Sequence, residues 1–540
     1  MSMFTSFLKK QKLAVVSFIN DIKVFEVVRD MEIAEFISDN RQALVITVLL
    51  IILWLVVLKR PRDIPPGPSF SLPVLGDILR IGRDPLERFR DMRRRYGDVF
   101  SFYMGNRLVV VLNGFDVIKS ALVTHADVFR DRPHMFMMDE ICEGKGIVAS
   151  SGRVWKEQRQ FAQTTMRMLS SGAHTLETSI QEEASQLIDA FDQQTATFDP
   201  QTTTSDPQTA TFDPRALIEG AVSNVMCTLC FGRRFRYDNL EFVAYLDAVA
   251  ESFKSFHATQ ILNIFPCLKY LPGDRFLYKQ MMRHKHFVEH DFLEHNIAEI
   301  SAAADDRLDA TNFTEAYLRS MRQARSEGRS SSMDELNLKQ SLGNIFTGGT
   351  ESMTGTLCWA LLYFMEYPEI QERCFQEIRE QVGLDRRPTM KDKISCPFLA
   401  ATIMEILRHA DVSPLAVAHS VSEDFVFMGY RIPKDSIVLP NIDSVMRDED
   451  IWGDPVKFRP ERFLDGSGKV LKPEKYIPFS MGRRICLGET IAKMELFHFL
   501  SSLLQRFRFE RPSDGDLCFE GVLGLTWAPK PFKVKVVRRM

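Results

Sequence analysis

The 540-residue sequence is short of several things that would direct a functional reading. It has almost no net charge: 68 Lys and Arg stand against 71 Asp and Glu, leaving -3. That balance gives no general electrostatic pull toward nucleic acid. A cysteine framework is missing too. Nine cysteines, an odd number, are scattered at Cys142, Cys227, Cys230, Cys267, Cys358, Cys374, Cys396, Cys486 and Cys518. The pattern excludes a secreted disulfide scaffold and fits reduced thiols facing the cytosol. No Gly-rich dinucleotide or flavin fingerprint is present, and no second apolar run of spanning length follows the first. At 45% hydrophobic and 26% charged residues, the composition excludes collagen and wholesale disorder.

What is present begins with one apolar run. Gln42 to Leu58 is 17 residues without a charge, bounded by Arg41 and Lys59. As a helix it would span roughly 25 Å, the lower limit for a bilayer core. It has no polar face, so a membrane anchor is favoured over a buried core helix. A cleaved signal peptide is disfavoured, because no small-residue cleavage site follows. Lys59, Arg60 and Arg62 put the C-terminal side in the cytosol. The expected organisation is an N-terminal extension (1–41), a transmembrane anchor (42–58), a Pro-rich linker (59–70) and a body (71–540). The linker, with Pro61, Pro65, Pro66 and Pro68, reads as a semi-rigid spacer holding the body off the membrane.

In the body, helical periodicity dominates: Trp155 to Met168, Ser179 to Phe191, Ala216 to Phe231, Asp334 to Glu366, Glu369 to Val382, Phe398 to Arg408 and Glu489 to Phe507. Ser332 to Glu335 reads as a capping box for the longest of these, and Pro368 closes it. Strand signals are short: Asp98 to Tyr103, Leu108 to Leu112, Phe425 to Phe427, Ile437 to Leu439 and Phe532 to Val537. The expected fold is mainly α with small sheets. One heptad, Gln194 to Pro200, recurs as Gln208 to Pro214, and its composition reads as a solvated loop.

One cysteine stands apart. Cys486 lies in Phe479-Ser480-Met481-Gly482-Arg483-Arg484-Ile485-Cys486-Leu487-Gly488, just before a helix. A helix N-terminus favours a thiolate. Gly482 and Gly488 allow backbone to approach a flat ligand, and Arg484 is placed to meet a carboxylate of that ligand. A single thiolate without neighbouring ligands is a poor zinc site and suits axial ligation of haem iron. The segment resembles the haem-binding loop of the cytochrome P-450 superfamily, Phe-x-x-Gly-x-Arg-x-Cys-x-Gly, at all five fixed positions. A chance match in this length is on the order of one in ten thousand.

The resemblance extends from Pro65 to Thr526 and looks like the animal microsomal family-2 group. It implies the cytochrome P-450 fold, a large helical body with a long distal helix, and haem b ligated by Cys486. Glu405 and Arg408, at i and i+3 on one helix, with Arg462 of Pro460-Glu461-Arg462-Phe463, look like the family's Glu–Arg–Arg triad. Trp155 and Arg159 resemble the pair facing a haem propionate, with Arg132 and His419 as further propionate partners. In the longest helix, Gly348-Gly349-Thr350-Glu351-Ser352 reads either as a kink packed on another backbone or as the groove over the iron. By resemblance, Glu351 and Ser352 would relay protons into that groove; Ser stands where the family usually has Thr.

The implied function is a haem-thiolate monooxygenase inserting one oxygen atom into a lipophilic small molecule. Electrons would come from NADPH through NADPH–cytochrome P-450 reductase, with cytochrome b5 as an additional partner, at the endoplasmic reticulum membrane. Lys156, Arg167, Lys475 and Arg483 are candidates for the reductase-docking face. Substrate contacts would fall in Met135–Gly146, Phe253–Ile264, Ile345–Ser352, Val412–Ala418 and Val522–Leu525, stretches rich in apolar side chains. The alternatives are a haem-thiolate isomerase or dehydratase, against which Glu351 and Ser352 argue, and a non-catalytic haem-based sensor.

Overall fold

The computed structural model describes residues 60–539, apart from 73, 83, 172–175, 197–208, 304–308 and 514–516. The expected anchor and N-terminal extension lie outside these residues, and among those described no helix is long and apolar enough to cross a membrane. The chain divides into two units, Met1–Arg62 with Ser69–Ser71, and Asp63–Pro68 with Leu72–Met540. The second holds the architecture that follows.

Its main helices, in chain order, are α1 (Pro85–Tyr96), α2 (Phe136–Cys142), α3 (Gly152–Ser171), α4 (Leu176–Ala196), α5 (Arg215–Phe231), α6 (Leu240–Thr259), α7 (Tyr278–His286), α8 (Phe313–Ser326), α9 (Glu335–Glu366), α10 (Pro368–Gln381), α11 (Pro397–Ala410) and α12 (Glu489–Arg506), with a further helix over Glu294–Ala303 and shorter turns between. Strands are β1 (Val99–Met104), β2 (Arg107–Leu112), β3 (Thr209–Phe212), β4 (His419–Ser420), β5 (Phe425–Phe427), β6 (Tyr430–Ile432), β7 (Ile437–Pro440), β8 (Phe507–Glu510), β9 (Gly521–Leu523), β10 (Trp527–Pro529) and β11 (Val534–Arg538). The largest sheet has the order β1-β2-β7-β4, and a second has β3-β11-β8.

The core is organised around α9. Its 32 residues make a rod of about 48 Å, and it is buried on all sides from Leu357 to Met365. A helix that is apolar all round belongs in the centre of a large body. Its start differs from the expected capping box: the N-cap is Asp334, whose carboxylate accepts from Asn337 N at 2.7 Å. Ser332 instead bonds to Glu157 of α3, so a tertiary contact took the expected cap. Pro368, which lacks an N–H, opens α10 and ends α9 as expected.

Two further expectations change. Ile64 to Pro66 of the Pro-rich stretch pack on the body: Ser101 of β1 donates its N–H to Pro66 O (2.7 Å) and its hydroxyl to Pro65 O (2.8 Å), and Ile64 is buried. At least Ile64 to Pro66 therefore belong to the fold. The second copy of the heptad is strand β3, paired antiparallel with β11 from Thr209↔Val537 to Phe212↔Val534. Its Phe212 ring meets Phe191 of α4 edge-on at 5.0 Å. Ala210 and Phe212 are half-buried on this edge strand while Thr211 between them is exposed, an alternation that a composition-based loop reading overlooks.

Candidate functional site

The Cys486 loop connects the segment after the Pro460–Phe463 turn to α12. Cys486 N–H donates to Phe479 O (3.0 Å) and Ile485 N–H to Gly482 O (3.2 Å), folding the loop back on itself. Gly482 has φ +76°, and a Cβ there would lie 2.0 Å from Leu122 O. The close approach expected for a flat ligand is thus made at Gly482 by protein backbone. At Gly488 a Cβ would meet nothing within 4 Å, so that side of the loop is open. The Phe479 ring carries Lys493 Nζ at 5.3 Å from its centroid.

Cys486 is exposed by surface area, yet dense protein surrounds it, which describes a recess. Burial, joined by the Glu489 carboxylate, pushes its thiol up; the N–H groups of Gly488 and Glu489 and the charge of Arg159 pull the other way. Arg159 donates to Ile485 O next to the sulfur. The Gly488 and Glu489 N–H groups stand at the start of α12, the end of a helix that favours negative charge.

The structure gathers Arg132, Trp155, Arg159, His419 and Arg484 with Cys486. Arg132 donates to Val148 O (3.1 Å), Val417 O (2.9 Å) and Ala418 O (2.8 Å). Arg484 donates to Arg130 O (2.8 Å), Ile147 O (3.2 Å) and Ser150 O (2.7 Å), and its guanidinium lies 4.1 Å over the Trp155 ring. Burial, then Arg159, pushes the Arg132 pKa down to about 9. Burial, then Arg132 and Arg159, pushes Arg484 down to about 8. His419 is also lowered, by burial and then Arg132, while its Nδ1 sits 2.6 Å from Phe129 O. Among the described residues none of the three arginines has an ion pair, and the buried Trp155 Nε1 has no hydrogen-bond partner.

Three clustered guanidiniums, each lowered first by burial, with Arg159 acting on Arg132 and both acting on Arg484, and an indole N–H left over, form a seat for carboxylates. A recessed thiol backed by helix N–H groups lies beside them. This donor set fits a haem, whose iron takes one thiolate and whose two propionates take the cations. It does not fit a zinc ion, and no cluster of three or more His, Cys, Asp or Glu ligands exists among the described residues.

Below the loop, Glu405, Arg408 and Arg462 meet in the core. Arg408 forks onto Glu405 at 2.7 and 2.9 Å, and Arg462 Nε reaches Glu405 Oε1 at 3.1 Å. The arginines also donate to Met446 O, Pro455 O and Trp452 O. One carboxylate thus clasps α11 to the Pro460–Phe463 turn.

The paired reading of Gly348-Gly349 divides between its residues. A Cβ on Gly349 would lie 2.3 Å from Met226 Sδ of α5, while one on Gly348 would meet nothing within 4 Å. Gly349 serves helix packing and Gly348 borders open space. Ser352 Oγ donates to Gly348 O (2.6 Å). Glu351 does not contact Ser352's hydroxyl through any observed bond; its carboxylate accepts from Arg215 Nη2 of α5 at 2.9 Å. Sequence reasoning missed Arg215. The available signal was a cation at the first residue of a helix, where the dipole disfavours it.

Of the stretches expected to contact substrate, Val522–Leu525 meets Phe253–Ile264, and Val412 meets residues just beyond two of the others. A Cβ on Gly355 of α9 would touch Val412 and Ala528, and one on Gly524 would touch Phe253 O. Trp527 N–H donates to Val412 O (2.8 Å). Asn344 of α9 accepts from Ile147 and Val148 N–H, both at 2.9 Å, which binds the loop after α2 to the helix.

Comparison with known proteins follows the same lines. The family model described as cytochrome P-450 matches residues 65–536. The chain is 38% identical to cytochrome P-450 2U1 of Bos taurus over 528 residues, covering 92% of this chain and 94% of that protein. It is 37% identical to a vitamin D(3) 25-hydroxylase of Sus scrofa, over 88% of this chain and 93% of that protein. It is likewise 37% identical to cytochrome P-450 2D6 of Homo sapiens, with the same coverage.

Proposed function

The chain belongs to the cytochrome P-450 family, in its animal family-2 group, and is a haem-thiolate monooxygenase; from that premise we propose that it oxygenates a lipophilic small molecule, with Cys486 as the iron ligand and NADPH electrons delivered by a separate reductase. The observation that carries the site assignment is the recess where Cys486 lies beside three unneutralised arginines and the unpartnered Trp155 indole.

When bound, the haem supplies the activation of dioxygen and the oxygen transfer. The protein's own part can be stated residue by residue. Gly488 and Glu489 N–H groups stabilise the Cys486 thiolate. Arg132, Arg159, Arg484, Trp155 and His419 receive the propionate carboxylates. Glu405, Arg408 and Arg462 hold the supporting core rigid, so the sulfur stays in place. Glu351 and Ser352 move a proton into the groove beside Gly348. The Phe, Met and Val side chains of the converging stretches exclude water and favour an apolar substrate. One relative is named for vitamin D(3), which is a lipophile of this kind. The Gln42–Leu58 run is proposed to anchor the chain in the endoplasmic reticulum membrane with its catalytic body in the cytosol, where cytochrome b5 can serve as a second electron donor.

The test is a reduced, carbon monoxide-bound difference spectrum of wild type and Cys486→Ser. The wild type is expected to show the thiolate-type band and the variant to lose it; an unchanged spectrum in the variant would sink the assignment of Cys486. NADPH consumption with reductase across steroids, fatty acids and xenobiotics then separates monooxygenation from isomerase chemistry, which consumes no NADPH.

A further inference from the structure

Four of the 11 histidines fall between His284 and His295. The middle two, His286 and His290, stand four residues apart, one ending α7 and the other in the π-type turn Phe287–Leu293 that follows. Both are exposed, and their ring centroids are 4.5 Å apart with 41° between the planes. The outer two are engaged elsewhere. His284 Nδ1 lies 3.4 Å from Ser252 Oγ, and His295 Nε2 lies 3.4 Å from Glu299 Oε1.

One ring of the pair is oriented by a carboxylate. His290 Nδ1 lies 3.0 Å from Glu294 Oε1, and Lys339 Nζ of α9 reaches the same oxygen at 2.6 Å. An ionised carboxylate only accepts, so Nδ1 carries the proton and Nε2 of the neutral ring keeps its lone pair free. A carboxylate on one imidazole nitrogen, with the other nitrogen free, is the arrangement that orients histidine ligands of metal ions. The ring spacing fits a chelate as well. With metal–nitrogen bonds of about 2.0–2.1 Å each centroid would lie about 3.2 Å from the ion, and centroids 4.5 Å apart subtend about 90° there. A right angle between two imidazoles suits the tetragonal sphere of copper(II) or nickel(II) better than a tetrahedral zinc site. The nearby ammonium groups are neutralised, Lys339 by Glu294 and Lys285 by Glu143 at 2.9 Å.

We propose that His286 and His290 chelate one divalent transition-metal ion, with Glu294 orienting His290 and water completing the coordination sphere. The ion pins the turn that carries it. Glu289 of the turn accepts from Gln340 of α9 at 2.5 Å, and Lys285 just before it donates to Glu140 O of α2 at 2.9 Å. Single π-type turns inside helices gather at functional sites, and this one bridges α2 to α9. An ion across His286 and His290 ties the end of α7 to the middle of the turn and so stiffens that bridge. The site is separate from the Cys486 recess and does not depend on the haem assignment.

The test titrates full-length, haem-loaded protein with nickel(II) chloride by isothermal calorimetry; nickel avoids the thiol oxidation that copper brings at the exposed Cys267 and Cys518. Wild type, H286Q, H290Q, E294Q, H286Q/H290Q and the control H284Q/H295Q are compared. Wild type is expected to show one saturable ion per chain, and the control to keep it. H286Q, H290Q and E294Q are each expected to weaken binding about 10-fold or more, and H286Q/H290Q to abolish it. No saturable binding in wild type overturns the proposal. Wild-type affinity in H286Q/H290Q overturns it too, because the metal is then an adventitious ion only. Hydrogen exchange supplies a readout of position. With nickel at about ten times its Kd, amides of Phe287–Leu293 should gain about 10-fold protection in wild type and none in H286Q/H290Q. An equal gain in both proteins, or none in wild type, overturns the pinned turn.

Discussion

Glu405 is fully buried with Arg408, and Arg462 is nearly so, an arrangement whose desolvation cost is met only while every partner is present. Removing one charge from such a group leaves the rest uncompensated and costs about 3–5 kcal/mol. Glu405→Gln is accordingly expected to lower the urea midpoint sharply and to cut the yield of haem-loaded protein, with the unfolding free energy as the check. A loss under about 1 kcal/mol would mean the arginines are satisfied by the Met446, Pro455, Lys457 and Trp452 carbonyls and the Asp454 carboxylate. The sequence identified these three residues by their order and spacing, since i and i+3 share a helix face. It could not say that they are buried, because a Glu-x-x-Arg reads the same on a solvated surface.

The long helix α9 does more than frame the groove. Asn337 and Asn344 take N–H groups from Gly146, Ile147 and Val148, and Ile147 and Val148 also supply carbonyls to Arg484 and Arg132. The helix, the loop and the cation cluster are therefore one mechanical unit. Asn344→Ala leaves two amides without their acceptor, a cost of roughly 1–3 kcal/mol. Hydrogen exchange should show lost protection at Ile147 and Val148 while α9 itself stays protected; unchanged protection at both amides would refute the link. The element boundaries from periodicity sit close to those observed, as for α5, expected from Ala216 and found from Arg215 to Phe231. The misses were whole helices, among them α1, α6 and α8, and short strands such as β3 and β9, where a few residues carry no period and only pairing with a distant segment creates the element.

Across the whole molecule, buried histidines link stability to pH. His409 Nδ1 lies 2.9 Å from the Tyr363 hydroxyl and Nε2 lies 3.0 Å from Val456 O, so Nε2 donates and Nδ1 accepts. Burial lowers its pKa to about 4, the Val456 bond opposing. Above pH 6.5 neither folded nor unfolded His409 binds a proton. Below it the unfolded chain does and the folded one does not, so stability falls between about pH 6.5 and about 4, then levels. The full drop from this group is about 3 kcal/mol. Unfolding free energies at pH 7, 6 and 5 should therefore decline in wild type, and His409→Gln should remove about one proton's worth of that slope. An identical slope in the variant would show that His409 titrates normally.

By itself the sequence determined the chemistry: one cysteine set among glycines and arginines before a helix, because ligand identity and local backbone shape are written in contiguous residues. It also determined that the body is helical, since amphipathic period is a local property. Tertiary structure decided what depends on distant partners. Only folding brings Arg132, Arg159 and Arg484 into one uncompensated cluster, gives Gly482 to Leu122, and turns a repeated heptad into a strand. Only folding, too, sets Arg215 against Glu351 across 136 residues of chain. An ion pair between helices depends on how two surfaces meet, and no spacing along a single chain encodes that.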